Sequence, residues 1–419
     1  MNIKSLRGMP DLFPEDLKKW HLLEKTISKV FYSFNTQEIR TPLLESTELF
    51  SRSVGNSSDI VNKELYSFLD KNDESVSLRP EGSASVIRAI IQKKQEHMQQ
   101  KLWYQGPMFR YERPQKGRFR QFHQVGVEYL GYEEGIAEYE LLSMVLDINK
   151  SLGIRNYTIK INHLGDASSK EDYCKALEAF LTPHINELHE KDIVRLNTNP
   201  LRVLDSKEKS TLAILEEAPK FQDYLSEKSK SFLEMLVTDF STRCDIEIDL
   251  SLVRGLDYYT KTVFELISSD LGAQDALCGG GRYDNLVQEL GGNNIPAIGF
   301  AAGMERLMLA LDFSKEIDNQ LDVFIISVGK RAITNSLKIC DKLRNQLGIH
   351  VRMDFSRSSF KSQMRQANKL NAEYVIILGE EEIKRKVGII KTMSSGEQFE
   401  APLDTIHKHF DIEKSKNDE

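Results

Sequence analysis

The chain has 419 residues, 40% hydrophobic and 28% charged, with 56 Lys and Arg against 63 Asp and Glu, for a formal charge of -7. That length predicts two or three domains and that balance a soluble globular protein, while the acidic sum argues against a general nucleic-acid binder. No apolar stretch approaches the ~18 residues of a membrane span, the opening MNIKSLRGMPDLFPEDL lacks the apolar core of a signal peptide, and the four scattered cysteines include no CxxC pair, so zinc and a disulfide framework find no support and a reducing, cytoplasmic setting is expected.

Along the chain, residues 17–31 carry Trp20, Leu23, Ile27, Val30 and Phe31 at helical spacing. The segment LRPEGSAS follows, with Glu81 and Ser83 two apart, close enough to face one site; Glu81 reads equally well as a helix-start carboxylate. Two extended runs, LWYQGPMFRYER and QFHQVGVEYLG, flank a loop around Pro114 and Gly117, which predicts a long antiparallel hairpin. Residues 134–152 read as a helix. Residues 165–245, rich in Lys, Glu, Leu and Ser with helical periodicity, read as a helical insertion.

TKTVFELIS then reads as a strand, and IPAIGFAAGMERLMLALDF as a Gly-punctuated lead into a helix. From Leu321 the runs VFIISVG, HVRMDF and YVIILGE alternate with two helical stretches, the sign of a small α/β domain; the tail DIEKSKNDE reads as disordered. Residues 321–419 hold 17 basic and 14 acidic residues, net +3, which leaves 39 and 49, net -10, for residues 1–320.

The chain has no GxxxxGK[ST] loop, no GxGxxG after a strand and no HExxH. Four Arg-bearing segments stand out instead. In FRYERPQKGRFRQFHQVGVEYLG, five of the first twelve residues are basic. Strand alternation puts Arg110 with Glu112 on one face, and Gln124, Gly126 and Glu128 on another, where a small ligand could lie against the glycine. A basic loop suits phosphate, although a solvated turn has the same composition.

LVRGLDYYTKTVFEL offers Arg254, Tyr258 and Tyr259 before a strand, which suits a pocket wall or a plain turn with aromatic core residues. ALCGGGRYDNLV has three glycines, expected to weaken any regular element, then Arg282 and Tyr283. In AIGFAAGMERLMLAL, helical spacing would bring Gly299, Gly303 and Arg306 to one side of a buried helix. Arg306 then serves a ligand or a structural ion pair. Arg, Gly, Tyr, Gln and Glu without a Ser-His-Asp or Cys-His arrangement suit phosphoryl or nucleotidyl chemistry done by positioning and charge.

These residues carry a resemblance. FRYERPQKGRFRQFHQVGVE resembles motif 2 of class II aminoacyl-tRNA synthetases in its histidyl form, and GFAAGMERL resembles motif 3. LVRGLDYYTKTVFEL and ALCGGGRYD are similar to the two histidine-specific signatures, and EIRTPLLESTELFSRSVGNSSDIVNKELYSF to motif 1. The resemblance implies an α+β fold: a class II antiparallel β-sheet flanked by helices over residues 1–320, with the insertion at about 165–245, then an α/β anticodon-binding domain over 321–419. It implies a homodimer built through motif 1, and ligation of histidine to tRNA(His) through a histidyl-adenylate. ATP is the co-substrate, and Mg2+ is expected with it, without assigned ligands.

By the same resemblance Arg110 holds the α-phosphate, Arg306 the γ-phosphate end, and Arg118 further phosphate oxygens. Arg254 lies beside the histidine carboxylate and α-phosphate. Glu81, Ser83 and Gln124 take the α-amino group, and Glu128 and Tyr259 the imidazole, with Tyr258 and Tyr283 nearby. Gln115 and Lys116 in the motif 2 loop meet the tRNA acceptor end. Lys361, Arg365 and Lys369 recur every four residues and form an RNA-facing helical stripe, or a solvated face. Ser83 stands where the family commonly has threonine, and Asn35 near a motif 1 position that is often glycine.

One rival is a non-catalytic relative, the synthetase-like regulatory subunit of ATP phosphoribosyltransferase. Such proteins usually lack the C-terminal α/β domain and have eroded motif 2 arginines. The other rival, an RNA-binding module, leaves Glu128, Arg254 and the glycine run unexplained.

Overall fold

The computed structural model describes residues 3–55, 58–271, 276–311, 321–356 and 358–410. The chain divides into two compact units, Met1–Ser314 and Lys315–Glu419. The tail 411–419 and the junction 312–320 lie outside the described residues.

Unit 1 opens with helix α1 (Pro14–Ser33), with Glu15 and Asp16 in its first turn, where acids suit the positive helix end. It buries Trp20, Leu23, Ile27, Val30 and Phe31, the residues whose spacing predicted it. Just past its end Asn35 takes φ +55°, the left-handed region that glycine usually fills and asparagine tolerates. Strand β1 (Gln37–Glu38) follows. A small sheet then forms from β2 (Leu44–Ser46), β3 (Tyr66–Leu69) and β4 (Ser75–Leu78), with α2 (Thr47–Val54) between the first two.

Helix α3 (Ser83–Gln92) leads into the hairpin of β5 (Gln100–Phe109) and β6 (Gln121–Leu130), antiparallel as expected. The first arm ends at Phe109, so Arg110 and Glu112 do not share a strand face; they belong to the loop. After α4 (Ile136–Leu152) and β7 (Tyr157–His163) come the insertion helices α5 (Ala167–Leu181), α6 (Glu190–Thr198), α7 (Lys209–Leu215) and α8 (Glu227–Phe240), then β8 (Asp245–Ile248). Strands β9 (Thr260–Ser268), β10 (Ala276–Arg282) and β11 (Ala297–Gly303), with α9 (Leu286–Glu289) between the last two, lead to α10 (Met304–Ala310).

The large sheet runs β1-β5-β6-β11-β10-β9-β7-β8. Its six inner strands pair antiparallel, while β1 and β8 add parallel edges, so the expected antiparallel sheet is mixed at its margins. Helices α1, α4 and α8 cover one face, sharing one core with Val125, Val127 and Tyr129 of β6, Phe264 of β9 and Ile159 and Ile161 of β7. The opposite face carries Gln124, Gly126 and Glu128 and is open over part of its width.

Two expectations fail here. The three glycines 279–281 lie inside β10 in mid-sheet, paired on both sides, rather than in a weakened segment. Ladder hydrogen bonds outweigh glycine's entropic cost. Gly299 and Gly303 lie on β11, not one turn apart on a helix with Arg306; only residues from Met304 onward are helical. A period of two competes with 3.6 in so short an apolar run, and strand pairing on both sides decided it.

Unit 2 is a five-stranded sheet, β13-β12-β14-β15-β16, made from β12 (Leu321–Ser327), β13 (Val351–Met353), β14 (Ala372–Leu378), β15 (Val387–Thr392) and β16 (Gln398–Pro402). Its helices are α11 (Lys330–Leu347), α12 (Phe360–Lys369) and α13 (Glu380–Arg385). The first three strands pair in parallel, as the alternating pattern requires. The antiparallel pair β15 and β16 was not read from the sequence, because β16 is a polar, largely exposed edge.

Candidate active site

Cross-strand register builds the floor of one cavity. Gly126 on β6 faces Ala301 on β11, which faces Gly279 on β10, which faces Glu265 on β9. One step along, Glu128, Gly299 and Gly281 form a second row. The missing side chains are needed. A Cβ on Gly279 would overlap the Arg254 guanidinium, and one on Gly299 the Glu128 carboxylate. Gly279 therefore lets Arg254, and Gly299 lets Glu128, lie flat on the sheet.

The cavity above is lined by Glu81, Ser83, Arg110, Arg118, Gln124, Arg254, Tyr258, Tyr259 and Arg306, nine residues that the sequence singled out from separate segments of the chain. Arg254 donates to Glu265 at 2.5 Å. Burial pulls its pKa down, but Glu265 and Tyr259 outweigh that, so it is raised and the group stays charged. Arg110 donates to Pro80 O at 2.9 Å and stacks 5.3 Å from the Phe122 ring. Its pKa is lowered, first by burial and further by the nearby charge of Arg254, with Glu64 and Glu81 opposing. Arg118 pairs with Glu112, and its pKa is also lowered by burial and by Arg110. Arg306 donates to Ala276 O at 2.8 Å and Gly117 O at 3.4 Å, which ties α10 to the hairpin loop. Four guanidiniums facing one cavity, with Arg254 depressing Arg110 and Arg110 depressing Arg118, suit an anion of several charges.

The opposite end is a carboxyl and phenol cluster. Glu128 is fully buried and accepts from Ser83 Oγ at 2.6 Å and from the Tyr283 hydroxyl. Burial pushes this carboxyl up to about 8 against the pull of both hydroxyls. Glu81 accepts from the Ser83 and Ala84 N–H groups at 2.6 and 2.9 Å, so it caps α3 as well as lining the cavity; its pKa too is raised by burial. The rings of Tyr258, Tyr259 and Tyr283 pack with centroids 4.7–6.3 Å apart. Burial raises all three phenols, Tyr259 to about 12. Gln124 Oε1 and Arg254 Nε are buried with no hydrogen-bond partner among the described residues, a costly state that a ligand would relieve.

The other candidates lie elsewhere. Glu128 and Tyr283 sit just beneath the lining rather than in it. Gln115 and Lys116 belong to the hairpin tip, where Gln115 and Arg118 exchange backbone hydrogen bonds at 2.9 and 3.1 Å. Arg282 faces away and is a fully buried structural ion, donating to Glu138 at 2.6 Å and Asp284 at 3.1 Å. In unit 2, Lys361, Arg365 and Lys369 lie on the outer side of α12, while Gln363 and Ala367 form its buried side.

The lining also includes residues that the sequence did not point to: Tyr104, Glu265 and Glu305. Pairing of Tyr104 with Gly126 and of Glu265 with Gly279 was the available signal, but it needs the register. Glu305 accepts from His123 N–H at 2.9 Å and contacts its ring at 3.0 Å, joining α10 to β6.

A family model described as histidyl-tRNA synthetase matches residues 8–307, well over half of the chain. The chain belongs to the histidyl-tRNA synthetase family. A second model, an anticodon binding domain, matches residues 322–411. A histidine–tRNA ligase of Prochlorococcus marinus (strain MIT 9515) is 46% identical over 389 residues, 91% of this chain and 89% of the relative. One from Marinomonas sp. (strain MWYL1) is 43% identical over 412 residues, covering 96% and 97%. Among solved structures, apo S. aureus histidyl-tRNA synthetase is similar at 36% identity and TM-score 0.83, covering 98% of this chain and 100% of that one. A Bacillus halodurans structure titled ATP phosphoribosyltransferase regulatory subunit/histidyl-tRNA synthetase has TM-score 0.66 at 22% identity, covering 90% of this chain and 99% of that one, a likeness of fold.

Proposed function

We infer that the chain is a histidine–tRNA ligase, joining L-histidine to tRNA(His) at the expense of ATP through a histidyl-adenylate. In the first step a histidine carboxylate oxygen attacks the α-phosphorus and pyrophosphate leaves. In the second the terminal ribose hydroxyl of the tRNA attacks the activated carbonyl and AMP leaves. The observation that carries this reading is one cavity with Arg110, Arg118, Arg254 and Arg306 along its wall and the Glu128 cluster at its end.

Arg306 and Arg118 bind the outer phosphates and Arg110 the α-phosphate. Arg254 lies between carboxylate and α-phosphate, where negative charge shifts during attack, and the Glu265 ion pair keeps it in place before reaction. Glu81, Ser83 and Gln124 take the α-amino group. Glu128 and Tyr259 pair with the imidazole beside Tyr258 and Tyr283. A site whose polar atoms need both ring nitrogens discriminates strongly against apolar isosteres, which leave those atoms unpaired.

Magnesium fits as a companion of the triphosphate rather than as a caged ion. No group of three or more His, Cys, Asp or Glu among the described residues could hold a metal, and Glu265 and Glu305 are engaged by Arg254 and His123. When bound, it supplies charge neutralisation on the phosphates.

Gln115 and Lys116 at the hairpin tip contact the tRNA acceptor end, and the α12 stripe contacts tRNA through unit 2. The catalytic domain comprises residues 1–320 and the anticodon-binding domain 321–419. Exposed Leu43, Leu44, Phe68 and Leu69 support a homodimer through the motif 1 segment. Four free cysteines, and the absence of any described helix long and apolar enough to cross a membrane, support work in the reducing cytoplasm.

The motif 2 arginines and a C-terminal unit together favour the enzyme over the regulatory relative. The test is ATP–pyrophosphate exchange with each of the twenty amino acids separately. Exchange is expected with histidine, and its absence there ends the reading.

A further inference from the structure

The loop Val253–Tyr259 carries Arg254, Tyr258 and Tyr259 into the cavity, yet it has no regular secondary structure. Among the described residues its backbone makes one hydrogen bond to other backbone, from Asp257 N–H to Val54 O at 3.3 Å. Side chains of the helical insertion add to it. Arg202, on the 3-10 turn Pro200–Asp205, forms an ion pair through Nε with Asp257 at 3.1 Å and donates through Nη2 to Gly255 O. Asn199 donates to the same Asp257 oxygen at 2.9 Å, and Lys170 on α5 donates to Tyr259 O at 3.3 Å. The Arg202 and Asp257 side chains are only 12% and 22% exposed, so the pair is shielded from water. Asp257 also packs against Gly55, where a Cβ would overlap its carboxylate. One aspartate thus meets the insertion on one side and the end of α2 on the other.

We propose that Arg202 and Asn199 are positioning residues for adenylate formation: through Asp257 and Gly255 they clamp the loop that holds Arg254, Tyr258 and Tyr259. The insertion is then part of the amino-acid site without touching the amino acid. This rests on the histidine-site reading above. A fork that binds a carboxylate and a carbonyl together fixes both the position and the tilt of the loop, which a lone ammonium cannot do. A guanidinium moved by about 1 Å loses its aim at the reacting phosphate, and such misplacement costs up to roughly 100-fold in rate.

The experiment is histidine-dependent ATP–pyrophosphate exchange in the full-length protein, with Arg202→Ala, Arg202→Lys, Asn199→Ala, Asp257→Ala and the Arg202→Ala/Asp257→Ala double variant, each checked by thermal melt. For Arg202→Ala, kcat/KM for histidine falls by roughly 10- to 100-fold while KM for ATP is unchanged, because Arg110, Arg118 and Arg306 stand on other elements. Arg202→Lys recovers part of the loss, and the double variant is no worse than the poorer single one. If Arg202→Ala lowers only the melting temperature, or if the two losses simply add, the clamp is wrong and the histidine site stands. Wild type without histidine exchange overturns both. If Arg202→Ala fails to fold, Asn199→Ala and Arg202→Lys decide by the same split between KM for histidine and KM for ATP.

Discussion

Gly279→Ala puts the smallest possible side chain into the centre of the active-site floor. Gly279 lies in β10 with extended backbone, so alanine meets no conformational barrier, and in a strand it is intrinsically better than glycine by roughly 0.5–1 kcal/mol. The new methyl nevertheless lands on the Arg254 guanidinium, well inside the 3.0 Å that real Cβ contacts respect. Arg254 must swing off the floor and give up its 2.5 Å ion pair with Glu265. Losing one pre-aimed donor at developing charge costs about 100- to 1,000-fold in rate, about 2.7–4 kcal/mol. Overpacking costs stability about 1–3 kcal/mol, against which the strand preference of alanine partly works. The assay is single-turnover formation of histidyl-adenylate, with histidine affinity by calorimetry and a thermal melt alongside. A folded Gly279→Ala protein with wild-type adenylate formation refutes the claim that Arg254 acts from its place above Gly279.

Arg254→Ala should slow adenylate formation far more than it weakens histidine binding, and equal losses in the two would reduce Arg254 to a ground-state contact. Glu128 holds its proton up to about 8 through burial, against an ordinary 4.5, so its stabilising contribution is complete below pH 4.5 and is lost as pH rises through 8. Apo-protein stability should therefore fall over that window by up to about 1.4 kcal/mol per pH unit from this group. Glu128→Gln should flatten the slope, leaving a residual part from Glu81, whose pKa is also raised by burial; parallel urea-melt profiles for the two proteins would remove Glu128 as the source. Replacing Lys361, Arg365 and Lys369 together by alanine should weaken tRNA binding and make its salt dependence shallower, by roughly one counterion for each phosphate that no longer meets a cation, with exchange unchanged. Filter binding across a salt series measures the slope, and an unaltered slope would make the stripe a solvated face.

Local order was legible in the sequence. Helix α1 followed from Trp20, Leu23, Ile27, Val30 and Phe31, the hairpin from two extended runs about a Pro-Gly loop, and β12 to β14 from their alternation with helices. These depend on period and turn chemistry between near neighbours. The arginine-rich segments were likewise visible, since charge beside glycine and tyrosine is unusual enough to notice. Their chemistry stayed divided between ligand and ion pair, and the outcomes differ: Arg254, Arg110 and Arg306 line the cavity, while Arg282 is spent on Glu138.

Register and long-range pairing made that division, and neither is written in any short window. Three glycines look like a flexible break until β9 and β11 pair on both sides of them; then the first of them, Gly279, becomes the floor that admits Arg254, as Gly299 beside it admits Glu128. Gly299 and Gly303 look helical until β6 claims them. Tyr104 and Glu265 gain meaning only by facing Gly126 and Gly279, and Arg202 only by reaching a loop 53 residues on. Side-chain types and local periodicity come from the chain itself; which buried charge meets a ligand and which meets another charge depends on pairing between distant segments, formed only when the sheet closes.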